Sequence, residues 1–184
     1  MQRETRRNLS TMKKKLLSLG LSLILTACVF AGCGSNASGP QPDCPFSELK
    51  WGSSVSDMEK LEGSDHTTED SYYGGVAYVY PREFKSASGT VKYSFDDKEN
   101  LAAIAWSYIS DNDGEISTLY HSIRGDMVKA YGESGYQPDQ DTYFGDVWYR
   151  KDGNIIVSAV RTQDLKAVQV TFVSPKHSAD ESDT

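Results

Sequence analysis

Residues 13–33 limit what this chain can fold into more than any other stretch. Three lysines precede an apolar run from Leu16 to Leu25, and small residues then lead to Cys33. A basic patch, a short apolar run and a small-residue site form the pattern of an export signal, and the run is too short for a good membrane-spanning helix. We therefore expect residues 1–32 to be a signal peptide, and the fold to be built from residues 33–184.

The same stretch resembles the signal of bacterial lipoproteins, whose cleavage box ends in Ala/Gly-Cys and whose cysteine then carries the lipid. Two boxes fit: LTAC ending at Cys28, and FAGC ending at Cys33, which gives the longer apolar run and precedes a Gly/Ser-rich tether. The resemblance implies lipidation at Cys33, with Cys28 as the alternative. It also implies a protein anchored on the outer face of the cell membrane, or at the outer membrane if the organism has two.

The exported part is strongly acidic. The chain has 19 basic and 26 acidic residues, and six basic and one acidic residue precede Cys33, which leaves a net charge near −12. This charge argues against a nucleic-acid partner and against adsorption to anionic lipid, so contact with the membrane depends on the covalent lipid. If Cys33 is lipidated, Cys44 is alone and cannot close an internal disulfide. No cofactor is expected.

Hydrophobic periodicity predicts a single domain over residues 46–174, after a flexible tether at 33–45 and before a disordered acidic tail at 175–184. A capping box at Ser54 opens a short helix that ends at Gly63, and a longer helix follows Asp111 and ends at Gly132. Alternating or β-rich segments then predict strands at 72–80, 89–96, 101–109, 143–150, 155–161 and 165–173.

These elements repeat as helix and three strands, over about 46–110 and 111–174, and MEKLEG at 58–63 parallels MVKAYG at 127–132. The predicted fold is α+β: an antiparallel sheet of about six strands with two helices on one face. The other face is expected to be open to water. It would carry Lys92, Ser94, Ser107, Gln169 and Thr171.

The segment WGSSVSDMEKLEG at 51–63 resembles the entry motif of small bacterial lipoproteins of the SmpA/OmlA and β-lactamase-inhibitor-protein type. In the inhibitor, duplicated repeats present a concave sheet face to a partner. The resemblance implies that general architecture only, because the inhibitor repeats have two helices each and disulfides, which this sequence does not predict.

No catalytic or metal-binding motif stands out. None of the three histidines has a ligand neighbour at helical or turn spacing, and no G-x-S-x-G is present. Aromatic residues crowd the first strand of each repeat, and we take Tyr73, Phe144 and Trp148 as candidate anchors for a protein or peptide, against the alternative that they pack in the core. We therefore expect a non-enzymatic binding module. A cell-wall-acting enzyme with acidic loop residues and a passive structural lipoprotein stay open as alternatives.

Overall fold

The computed structural model describes residues 43–135, 139 and 140, and 143–183. The predicted signal peptide, both candidate lipidation cysteines and most of the predicted tether lie outside the described residues. The helices are α1 (Val55–Glu62) and α2 (Asp113–Tyr131), and two 3-10 turns follow at Pro175–His177 and Glu181–Asp183. The strands are β1 (Thr67–Asp70), β2 (Gly74–Phe84), β3 (Ala87–Asp96), β4 (Leu101–Ile109), β5 (Asp139–Gln140), β6 (Tyr143–Trp148), β7 (Ile155–Arg161) and β8 (Lys166–Val173).

The strands form one antiparallel sheet in the order β1-β2-β3-β4-β8-β7-β6-β5. The predicted α+β class, with an antiparallel sheet and two helices on one face, is confirmed. The strand count differs, because within the described residues each half contributes four strands rather than three. The additional strands, β1 and β5, are short polar edge strands without apolar alternation, so periodicity alone did not reveal them.

The two halves are related by an approximate twofold symmetry in strand order and register. The central strands β4 and β8 lie side by side, and Trp106 is paired with Val170 at the point where the halves meet. Ala105 precedes Trp106 in the first half, and Gln169 precedes Val170 in the second. The approximate twofold symmetry therefore makes Ala105 and Gln169 equivalent. Their partners on the next strands, Lys92 and Ser158, are equivalent as well.

Local signals set the ends of both helices as predicted. The Ser54 side chain accepts the backbone N–H of Asp57, and the Asp57 carboxylate accepts the backbone N–H of Ser54, which completes the capping box. Asn112 caps α2. Both helices end at a glycine with positive φ, Gly63 at 88° and Gly132 at 85°, where a side chain would be strained.

The core lies between the helices and one face of the sheet, which we call the helix face. Directly paired residues such as Tyr93, Ile104, Phe172 and Ile155 share this face and are fully buried. A strap formed by residues 43–51 also packs here, and the ring of its Phe46 lies 4.9 Å from Phe84 and 6.1 Å from Trp106, between ring centroids. Contact with the core begins at Cys44, two residues before the predicted start of the domain at Phe46.

The structure contradicts the prediction that the opposite face of the sheet is open to water. We call this face the back face. Its side chains Lys92, Ser94, Ser107, Gln169 and Thr171 are all between 1% and 8% exposed. Their neighbours in the paired rows include larger residues such as Val79, Val147 and Ile156, and the turn between β1 and β2 lines one end of the surface. These neighbours shield the polar side chains of the central strands from water.

The prediction of a disordered tail is wrong for residues 175–183. The side-chain amide of the buried Asn154 donates to the carbonyl of Ala179, which is itself buried, and the backbone N–H of Asn154 donates to Ser178 Oγ. Lys176 Nζ lies 2.8 Å from Asp96 Oδ2. These partners are distant in sequence, so the acidic composition of the tail gave no sign of them.

Candidate functional site

A pocket of about 190 Å³ opens on the back face. Its floor consists of side chains from three central strands: Lys92 and Ser94 of β3, Ala103 and Ala105 of β4, and Thr171 of β8. The register fixes this floor, because Lys92 is paired with Ala105 and Ala105 with Thr171. The wall is the turn between β1 and β2, with Asp70, Ser71 and Tyr72.

Lys92 is the charged group of the floor. Its side chain is only 10% exposed, and Nζ donates to Glu69 Oε1 on β1 at 2.8 Å. A buried ammonium needs such a partner, since an unpaired charge in this position is costly. The carboxylates of Glu69 and Asp70 together exceed the charge of Lys92, so the immediate surroundings do not favour an anionic ligand.

Gln169 lies on the same face of β8 as the pocket residue Thr171, and only one end of its side-chain amide is hydrogen-bonded. Its Nε2 donates to Oγ1 of Thr171 at 2.8 Å, while its Oε1 is buried and has no hydrogen-bond partner in the described part of the chain. Ser107, which is paired with Gln169 across β4 and β8, also has a buried hydroxyl without a partner there. Each such group costs about 1–3 kcal/mol, and in native proteins water or a ligand commonly satisfies it.

The approximate symmetry relates one pocket residue to Gln169. In the first half, the small side chain of Ala105 lies in the floor of the pocket. At the equivalent position, the second half carries the longer side chain of Gln169, which is 1% exposed.

The three predicted anchors are not brought together. Trp148 packs in the core, which was the alternative to an anchor: it lies on the helix face, is 3% exposed and donates through Nε1 to the carbonyl of Gly132. Phe144 also lies on the helix face, with its ring 5.7 Å from Tyr120 between centroids and under the guanidinium of Arg161. The sequence could not separate anchor from core here, because alternation fixes which residues share a face but not which face the helices cover.

Tyr73 lies next to the pocket wall rather than in it. Its ring is 5.5 Å from Tyr72 and 5.0 Å from His177, between centroids. Its hydroxyl is buried without a partner among the described residues, and burial raises its pKa. The pocket residues Lys92 and Thr171, and Gln169, which donates to Thr171, were assigned to the correct face from the sequence, but as solvated side chains. The one available signal was a lysine and a glutamine at central strand positions.

The other buried ionisable groups serve to hold the fold together. The carboxylate of Asp146 accepts hydrogen bonds from Tyr120, Arg124 and Ser134, which joins α2 and the following loop to β6. Burial raises the pKa of the Cys44 thiol to about 11, so this cysteine is a poor nucleophile. Within residues 43–135 and 143–183, no cluster of three or more His, Cys, Asp or Glu side chains is placed to hold a metal ion.

No protein-family model matches the chain, and no curated protein or solved structure matches it either.

Proposed function

We propose that this protein is a lipid-anchored extracytoplasmic binding module, without enzymatic activity, whose back-face pocket holds part of a protein or peptide ligand. The observation that carries the proposal is the pocket of about 190 Å³ over Ala105, whose floor combines the buried Lys92 with the small side chains of Ala103 and Ala105. A charged group that is 10% exposed and borders a concave surface is a typical component of a binding site.

The position of the strap supports a division between anchoring and binding. Tyr131, at the end of α2, donates to the carbonyl of Asp43, and Cys44 packs against the core on the helix face. The described chain therefore begins on the side opposite the pocket. From Cys33 to Asp43 a tether of about ten residues reaches at most about 35 Å. A lipid at Cys33 would therefore attach the domain through a tether that joins it on the helix side, away from the pocket.

The surface charge agrees with anchoring by lipid rather than by adsorption. The exported part is acidic, and acidic proteins are repelled by anionic lipid headgroups. In the described residues, no helix has the length and apolar character needed to cross a bilayer. A single acyl chain gives only marginal binding, so a stable anchor requires two or more chains on the cysteine.

Two measurements on the membrane-extracted full chain test this proposal. Its intact mass should correspond to an acylated chain that starts at Cys33, or at Cys28 as the alternative. The same preparation, in detergent micelles, is then applied to an array of capped peptides of random sequence. The matched variants are Ala105→Gln, which fills the pocket with the side chain that the second half carries, and Ala130→Gln, which makes the same change on the exposed surface of α2.

Peptides that the wild-type protein and Ala130→Gln retain, and that Ala105→Gln retains at least about tenfold more weakly, establish the pocket as the binding site. Equal retention by Ala105→Gln overturns the assignment of the pocket. An array with no retained peptide overturns peptide binding, and an unmodified mass overturns the anchor.

A further inference from the structure

The ligand group that suits the pocket follows from the size of the pocket and from the side chains that line it. We infer that the pocket receives a phenol, the side chain of a tyrosine in the protein or peptide ligand. This inference rests on the proposed function and specifies the ligand for the same site. Its observations are the shape of the floor, an exposed tyrosine in the wall, one free hydroxyl and the local balance of charge.

The centre of the floor is small and apolar. Ala103 and Ala105 share one face of β4 and lie about 7 Å apart along the strand, which is comparable with the length of a phenol ring. Ser94 of β3 is paired with Ala103 on one side. Thr171 of β8 is paired with Ala105 on the other side. The pocket has about 190 Å³, and a cavity of about 150 Å³ holds benzene, so an aromatic ring fits above the two alanines.

The wall adds an aromatic surface. Tyr72 lines the pocket and is 53% exposed, whereas most large apolar residues of the described part of the chain are buried. Contact with Tyr73, whose ring centroid lies 5.5 Å away with an angle of 85° between the planes, helps to hold the Tyr72 ring in place. A further aromatic ring in edge-to-face or offset contact gains energy beyond the area that it buries. The wall therefore favours an aromatic ligand group over an aliphatic one.

One hydroxyl of the floor is free. Ser94 Oγ has no hydrogen-bond partner in the described part of the chain and, unlike Gln169 Oε1, it is not closed off from solvent. An apolar ring in the pocket would displace water from this hydroxyl and leave it unpaired, which is costly. A phenol avoids this cost, because its own hydroxyl both donates and accepts hydrogen bonds. Ser94 therefore distinguishes a tyrosine of the ligand from a phenylalanine.

The charges near the pocket argue against an ionised ligand group. Lys92 Nζ is already paired with Glu69 Oε1 at 2.8 Å, so a carboxylate in the pocket would compete with Glu69 for its cation. An ammonium or a guanidinium would meet Lys92 itself, whose side chain is only 10% exposed. Like charges at short distance are unfavourable in a partly buried site. A phenol is neutral near pH 7, because its ordinary pKa is about 10, and it carries its polar group at the end of an apolar ring.

The test uses four small probes on the full-length protein in detergent micelles, with backbone amide chemical shifts as the measurement. The probes are the N-acetyl methylamides of tyrosine, phenylalanine, glutamate and lysine. The tyrosine probe should bind at least about fivefold more tightly than each of the other three, the factor that one net hydrogen bond contributes. Its addition should shift the amides of Ser94, Ala103 and Ala105.

Two pairs of variants separate the role of the hydroxyl from that of the pocket. Ser94→Ala should weaken binding of the tyrosine probe to the level of the phenylalanine probe and leave the phenylalanine probe unchanged. Ser88→Ala makes the same change at an exposed position of the same strand and should alter neither probe. Ala105→Gln should abolish the response to the tyrosine probe, and Ala130→Gln should not change it.

The inference is overturned if the tyrosine probe does not bind, if any of the other three probes binds as tightly, or if Ser94→Ala keeps full affinity for tyrosine. The proposed function fails separately. If peptides on the array depend on Ala105 but the tyrosine probe does not bind, the pocket holds another chemistry and only the inference is lost. If no peptide on the array depends on Ala105, the binding function of the pocket fails first.

Discussion

The two halves of the molecule tie a helix to the sheet with the same groups in reversed places. In the first half the helix supplies the carboxylate, Glu62, and the sheet supplies the arginine and the tyrosine, Arg82 and Tyr93. In the second half the sheet supplies the carboxylate, Asp146, and α2 supplies the tyrosine and the arginine. The fold thus requires a carboxylate that joins helix and sheet, but not a particular direction for it.

The halves differ in how deeply these clusters are buried. The Asp146 side chain is 1% exposed, whereas that of Glu62 is 12% exposed, and α2 is more than twice as long as α1. The second half therefore depends more on its buried charge, because the loss of one partner from a buried cluster leaves the other charge uncompensated.

On the back face, the two halves differ in the size of one equivalent side chain. Gln169 covers its position in the second half, and its counterpart Ala105 leaves a pocket in the first. The strand register is the same at both positions, so the difference between Ala105 and Gln169 changes the surface of the sheet and not its pairing. The second half therefore contains the more deeply buried carboxylate, and the first half contributes most of the lining of the candidate pocket.

The largest expected effect separates the two carboxylate clusters. Asp146→Asn places a donor against the donors of Tyr120 and Arg124 and removes the charge that balances the guanidinium. We expect a loss of about 3 kcal/mol in the free energy of unfolding, at the low end for buried pairs because Arg124 is partly exposed. Glu62→Gln, the matched change in the first half, should cost about 1–2 kcal/mol. Urea unfolding measures the free energy of unfolding of each variant, provided that the dependence on urea concentration keeps the wild-type slope. Equal losses in the two variants would contradict the difference in burial.

The second prediction concerns the turns that follow β3 and β7. Asp96 closes the first turn by accepting the backbone N–H groups of Lys98 and Asn100, while Thr162 closes the second through its hydroxyl and Leu165. Burial by itself would raise the pKa of Asp96, but the hydrogen bonds from Lys176, Asn100 and Lys98 lower it to about 2. Only the first turn should therefore depend on pH.

Because the pKa of Asp96 is lower in the folded protein than in the unfolded chain, its contribution is complete above about pH 4 and is lost as the pH falls toward 2. A difference of about two units corresponds to an effect on the order of 2 kcal/mol. Asp96→Asn should therefore be less stable than the wild type by this amount at pH 5, and equal to it near pH 2. Thr162→Ala should show a loss that does not change over this range. Urea midpoints between pH 2 and 5 decide, and a parallel pH dependence in all three proteins would refute the assignment.

The third prediction concerns the cost of the unpaired amide oxygen. Gln169→Met keeps the length of the side chain but removes Oε1, so the protein should gain about 1 kcal/mol if no ligand is bound. The Thr171 hydroxyl loses the hydrogen bond that it accepts from Gln169 Nε2, but its own O–H stays free to donate elsewhere. Thermal unfolding measures the change. The control is Ser158→Ala, which alters the residue paired with Gln169 on the neighbouring strand β7. A loss of more than about 1 kcal/mol would mean that Oε1 is satisfied in the free protein.

Features that depend on neighbours in sequence were predictable. The capping box at Ser54 and the glycines that end both helices act within one helical turn, and the structure confirms them. The alternation of apolar residues gave six of the strands and the repeat, because one buried face per strand imposes a period of two. These signals are local, so one sequence contains them.

Features that depend on distant partners were not predictable. β1 and β5 form because β2 and β6 offer them hydrogen bonds, although their own residues are polar. Alternation could not show that Trp148 lies under the helices, since either parity gives the same pattern. The site was missed for the same reason: Lys92 and Gln169 look like solvated residues until the register places them at the centre of a sheet.

The last prediction compares a glycine inside α2 with the glycine that ends it. Gly125 has ordinary helical geometry and nothing within 4 Å of the position of an added Cβ, so Gly125→Ala should stabilise the protein by up to about 1 kcal/mol by reducing the freedom of the unfolded chain. Gly132 ends the helix at a φ of 85°, so Gly132→Ala should instead destabilise it by about 1–2 kcal/mol. Urea unfolding of the two variants should give changes of opposite sign. If Gly125→Ala lowers stability, the space beside α2 is occupied in solution, and if Gly132→Ala has no effect, the last turn of the helix can end without a left-handed residue.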